Sequence, residues 1–100
     1  MRTYTFKVGK IAEAIGLYEN DAAPVLKRYE KNLVGYFTGD IGAMNQLIHI
    51  WKFDDDADRR AFWGRLLNDE EFKAFGAKLR PLILTQENKL MLASSWGPHP

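Results

Sequence analysis

Asn32-Leu33-Val34-Gly35-Tyr36-Phe37-Thr38-Gly39-Asp40-Ile41-Gly42-Ala43-Met44-Asn45-Gln46-Leu47-Ile48-His49-Ile50-Trp51-Lys52-Phe53-Asp54 reads as two antiparallel strands, 33–40 and 44–53, joined by a glycine-containing turn. The second strand sets Asn45, Gln46, His49 and Trp51 among Leu47, Ile48 and Ile50. Such a strand either packs a polar core or lines a pocket. Both of its faces are apolar or aromatic, so both are expected to be buried.

Working outward, residues 2–8 alternate, with Tyr4, Phe6 and Val8 on one face and Thr3, Thr5 and Lys7 on the other, until Gly9 breaks the pattern. From 10 to about 31 the period becomes helical: Ile11, Ile15, Tyr18, Ala22, Val25 and Tyr29 form one apolar stripe. Pro24 removes a backbone bond to the carbonyl of Asn20, but the stripe keeps its phase, which predicts a kinked or two-piece helix. Past the quoted stretch, Asp54-Asp55-Asp56 supplies an N-cap and a negative first turn for a helix through Ala57, Ala61, Phe62, Leu66 and Leu67. Asn68-Asp69 caps a shorter one carrying Phe72, Phe75 and Leu79, which Pro81 ends. Residues 82–93 read as the last strand and 94–100 as a C-terminal tail. The order β-α-β-β-α-(α)-β is that of an α+β, ferredoxin-like βαββαβ sheet with helices on one face. The other face needs a cover, and in a single domain of 100 residues a second copy of the chain is the simplest one.

Composition narrows the function classes. Fourteen basic and 13 acidic side chains nearly cancel, with no basic tract, so the electrostatic footprint of a nucleic-acid binder is missing. The absence of cysteine excludes disulfides and thiolate sites and fits a cytoplasmic protein. No apolar run approaches the ~20 residues of a membrane span.

Arg2-Thr3-Tyr4-Thr5, the Gly9-Lys10 turn, residues 32–37, residues 45–51, Arg80-Pro81-Leu82 and Gln86-Glu87-Asn88 together resemble the NIPSNAP family across nearly the whole chain. The resemblance implies one NIPSNAP-like domain over residues 1–93 and a dimeric α/β barrel, in which two ferredoxin-like sheets pack face to face with a small cavity in each protomer. The wider superfamily includes cofactor-independent monooxygenases, haem-degrading enzymes, lactone isomerases and proteins of no known chemistry. It therefore implies a homodimer of unassigned activity with a pocket for a small apolar or aromatic molecule. One alternative is a monooxygenase-like or isomerase-like enzyme; the other is a non-enzymatic stress-response or interaction module.

Candidate site residues follow from strand parity. Asn45, Leu47, His49, Trp51 and Phe53 share one face of the third strand, and Met44, Gln46, Ile48, Ile50 and Lys52 the other. The second set is the more suitable partner for amphipathic helices, which places His49 and Trp51 toward the cavity between sheets. There His49 would serve as a general base or an axial iron ligand, against the plainer reading of a hydrogen-bonded interior histidine. Asn45, His49 and Trp51 match the haem-degrading relatives in residue type, though not in order or spacing. Tyr36 and Tyr4 offer phenols to a ligand or simply fill the core. Gln86 and Asn88 share a face of the last strand and would bond to the pocket or the partner chain, unless that strand is a solvated edge or a bulge. Arg80, before Pro81, could bind a carboxylate bidentately, although a surface ion pair with Glu70 or Glu71 is the plainer reading. The residue pattern requires no cofactor and offers no metal-ligand spacing.

Overall fold

The computed structural model describes all 100 residues. In chain order the elements are β1 (Arg2–Phe6), α1 (Ile11–Leu17), α2 (Ala23–Leu26), β2 (Leu33–Thr38), β3 (Gln46–Trp51), α3 (Asp56–Leu67), α4 (Glu70–Leu79) and β4 (Ile83–Asn88). The strands form one antiparallel sheet in the order β2-β3-β1-β4, with all helices on one side. This is the ferredoxin-like α+β arrangement expected from the element order. The shortest extent of the molecule, 19 Å, is that of two layers.

The first helical rod bends where Pro24 demands it. One π-helical turn, Tyr18–Ala22, links α1 to α2, and the Ala23 amide donates to the carbonyl of Tyr18, five residues back. Pro24 thereby falls in the first turn of α2, where its missing N–H leaves no helical bond broken. A 3-10 stretch, Lys27–Asn32, leads into β2. Asp55 caps α3 by accepting the Asp58 amide at 2.7 Å, and Asp69 caps α4 through the amides of Glu71 and Phe72.

β2 and β3 are both shorter than the alternation suggests. The ladder between β2 and β3 closes with Gly39 N–H donating to the Gln46 carbonyl, and Gly42 then turns the loop at φ +100°. The last strand stops at Asn88 rather than reaching residue 93. Past Asn88 the ladder with β1 adds one exchange, between Met1 and Lys89. Beyond it Leu90, Met91 and Leu92 are exposed. Arg80 bonds back to the Gly76 carbonyl rather than pairing with an acid, since Glu71 takes Arg28 and Glu70 takes Lys73.

The core lies between sheet and helices, around Phe6, Ala14, Ala22, Leu26, Leu47, Phe75, Leu79 and Leu82. Only 13 of 100 residues are buried, because the opposite face of the sheet is bare. Register places Thr3, Thr5, Phe37, Gln46, Ile48, Ile50, Thr85 and Glu87 on that face. Phe37 lies flat across Gly35, where a Cβ would sit 3.0 Å from the ring.

Candidate functional site

The facing of β3 is opposite to the one its sequence suggests. Leu47 and His49 are buried under the helices, and Trp51 packs 5.1 Å from the Phe62 ring of α3 and 5.9 Å from Trp63. Ile48 and Ile50 point to the bare face. The physical reason is internal pairing. Trp51 Nε1–H donates to His49 Nδ1 at 2.7 Å, so the indole N–H and one imidazole nitrogen two residues apart pair within an aromatic block against the helices.

Reading across the sheet on its helix-facing side gives a single transverse row. Tyr36 of β2 pairs with His49 of β3, His49 with Arg2 of β1, and Arg2 with Asn88 of β4. Tyr36 stacks on His49 with centroids 5.0 Å apart and planes 8° apart, while Tyr4 meets the imidazole edge-on at 5.0 Å. From the π-helical turn, Tyr18 reaches down between Tyr36, at 5.4 Å, and Phe75, at 4.9 Å. Tyr18 opens that turn and continues the face of α1 that carries Ile11 and Ile15.

The hydrogen bond from Trp51 settles the chemistry of His49. With Nδ1 accepting, the ring proton sits on Nε2, and that atom is fully buried with no protein partner. Burial first, then the positive charges of Arg2 and the N-terminal ammonium, push its pKa down to about 3. His49 at neutral pH is therefore an uncharged donor whose other lone pair is occupied. That geometry does not supply the general base expected from the sequence. The phenols behave alike: burial raises the pKa of Tyr4, Tyr18 and Tyr36, so each stays protonated. Of the four tyrosines only Tyr29, which donates to Asp69 at 2.9 Å, hydrogen-bonds within the protein.

Beside this row a cavity of about 420 Å³ opens between the helical rod and the β2 edge, walled chiefly by Ile15, Tyr18, Leu26, Leu33, Tyr36 and Leu47. Glu19, Lys27 and Glu30 also border it and are exposed. Among the residues singled out by sequence, Tyr36 lines the cavity, and His49 and Trp51 lie behind it. Gln86 and Asn88 are on the helix-facing side of β4, paired with Tyr4 and Arg2, although both are solvent-exposed at the sheet edge. Asn45 does not join them: it precedes β3, and its carbonyl accepts the Phe6 amide at 2.8 Å. Sequence reasoning missed Arg2 and Tyr18. The parity that puts Tyr4 and Phe6 on one face includes Arg2, and Tyr18 lies on the stripe of the first helix.

Comparison with known proteins bears on this architecture. The sequence model of the NIPSNAP family matches residues 1–98. The chain is 32% identical over 97 residues to human Protein NipSnap homolog 3A, which covers 95% of this chain and 38% of the human protein. It is 33% identical over 73 residues to mouse Protein NipSnap homolog 3B, covering 72% of this chain and 29% of the mouse protein. The chain thus spans well under half the length of these relatives. Among solved structures, a NIPSNAP family protein of Agrobacterium tumefaciens superposes with a TM-score of 0.89 at 33% identity, over 97% of this chain and 92% of the other. A second from the same bacterium, described as having unknown function, gives 0.88 at 36% identity over 97% and 87%. An uncharacterized NIPSNAP domain protein of Burkholderia xenovorans gives 0.88 at 28% identity over 98% and 95%.

Proposed function

The chain belongs to the NIPSNAP family, and from that premise we propose that it works in the cytoplasm as a homodimer that binds a small, mostly apolar molecule in the cavity beside Tyr18 and Tyr36. The observation that carries this reading is the cavity itself. At about 420 Å³ it falls within the range of small-molecule sites, its walls are largely apolar, and the two phenols bordering it have no hydrogen-bond partner in the protein. Such a wall accepts an apolar body and one or two polar atoms of a ligand. The protonated phenols and neutral His49 provide donors and no interior base, which favours binding over turnover. The second copy is supported by the bare sheet face, where Phe37, Ile48 and Ile50 form an aliphatic and aromatic strip that water leaves unstabilised.

Native mass spectrometry of the protein purified from its own host tests both parts. The expected spectrum is a dimer carrying a small-molecule adduct on the wild type and none on Ala23→Phe, whose new ring enters the cavity that Ala23 borders. An adduct retained undiminished by that variant would overturn the assignment of the cavity, and a monomeric wild type would overturn the dimer.

A further inference from the structure

We propose that Arg2 is the anion-recognising group of a second site, independent of the cavity, which takes a small organic carboxylate at the β1–β4 end of the transverse row. The guanidinium is held on three sides. Its Nε donates to Asn88 Oδ1 at 2.9 Å, its carbon lies 4.7 Å from the centre of the Trp63 ring, and Tyr4 is 5.8 Å away. Both terminal nitrogens have no partner in the protein, and Arg2 takes part in none of the seven ion pairs.

Acids near the row are turned away or occupied. Glu87, next to the residue that orients Arg2, is paired with Thr3 and so points to the opposite face. On α3, which supplies Trp63, Asp56 binds Arg59 and Arg60. The protein thus orients the guanidinium with a neutral amide and an aromatic face, fixing its geometry while leaving its charge uncompensated. With Nε occupied, the free edge is the pair of terminal nitrogens, which matches the two oxygens of a carboxylate. One guanidinium, with no glycine-rich loop, suits a single negative charge better than a phosphate. Across the strand from Arg2, buried His49 keeps its own unpartnered N–H. The site is on the helix side, clear of the face assigned to the second copy.

Titration of the full chain with sodium benzoate at constant ionic strength tests this, followed through the ¹⁵N resonances of the arginine Nε groups and of the His49 ring. Benzoate is expected to shift the Arg2 Nε signal saturably, whereas methyl benzoate, which lacks the charge, leaves it in place. Asn88→Asp should lose the Arg2 response, because it provides Arg2 with an internal carboxylate at unchanged side-chain size, and Arg2→Gln should lose the benzoate-induced shift of the His49 ring. Arg2→Lys, which keeps the charge without the planar edge, should bind more weakly than wild type. An unmoved Arg2 resonance in the wild type, an equal response to methyl benzoate, or benzoate binding undiminished in Asn88→Asp would each overturn the proposal. A saturable response to inorganic phosphate alone would overturn the carboxylate assignment.

Discussion

Acidification should destabilise this protein through His49. The imidazole is 3% exposed, and burial holds its pKa at about 3 in the folded chain, against about 6.5 when unfolded. Between these values the unfolded state binds a proton that the native state refuses, so stability falls as the pH falls. Each pH unit well inside the window costs about 1.4 kcal/mol. From pH 6.5 to 4.5 the loss is about 2 kcal/mol, because the unfolded imidazole is only half protonated at the start. Urea denaturation at pH 7, 6.5, 5.5 and 4.5, at fixed protein concentration, measures this for the wild type and His49→Phe. The substitution removes the titration and leaves Trp51 Nε1–H without its acceptor, so the variant should be less stable at pH 7 by ~1–3 kcal/mol. The difference between the two proteins should then shrink toward pH 4.5. A difference that stays flat over this range would refute the buried neutral imidazole.

Lysine substitutions on the two faces of β3 should have distinct consequences. Ile48→Lys places a charge on the bare face and should give a folded monomer by sedimentation, whereas Leu47→Lys puts one into the core and should abolish cooperative unfolding. Pro24→Ala should alter stability by no more than about 1 kcal/mol in thermal or urea melts, since the π-helical turn already accommodates the ring; loss of the dimer would show that this bend shapes the interface. Asp69→Ala removes the cap of α4 together with the acceptor for Tyr29 and Arg28, and should lower stability by about 1–2 kcal/mol.

The sequence carried the topology because its signals there are local. Tyr4 and Phe6 alternate, the aspartates before α3 and α4 are caps, and Pro24 marks the bend, each within a few residues of the feature it specifies. Strand ends were less legible because they depend on a neighbour: nothing in residues 89–93 records that the pairing of β4 with β1 stops at Arg2↔Asn88. The facing of β3 failed for a related reason. Hydropathy assigned Ile48 and Ile50 to the helices and the polar-tipped His49 and Trp51 elsewhere, scoring each side chain alone. In the fold the indole N–H and the imidazole lone pair bond to each other at 2.7 Å, which removes one polar cost of placing both rings against the helices. The bond is possible because residues two apart on a strand share a face, and the parity that displayed the candidates also contained their pairing. What the pairing leaves over is a single buried N–H in line with an arginine that has no acid. Those two donors come from strands 47 residues apart in the chain, 2 and 49, and only the register of β1 against β3 brings them side by side. A site assembled by register is invisible to motif spacing, whereas its consequence, an excess of donors over acceptors on one face of the sheet, is readable once that register is known.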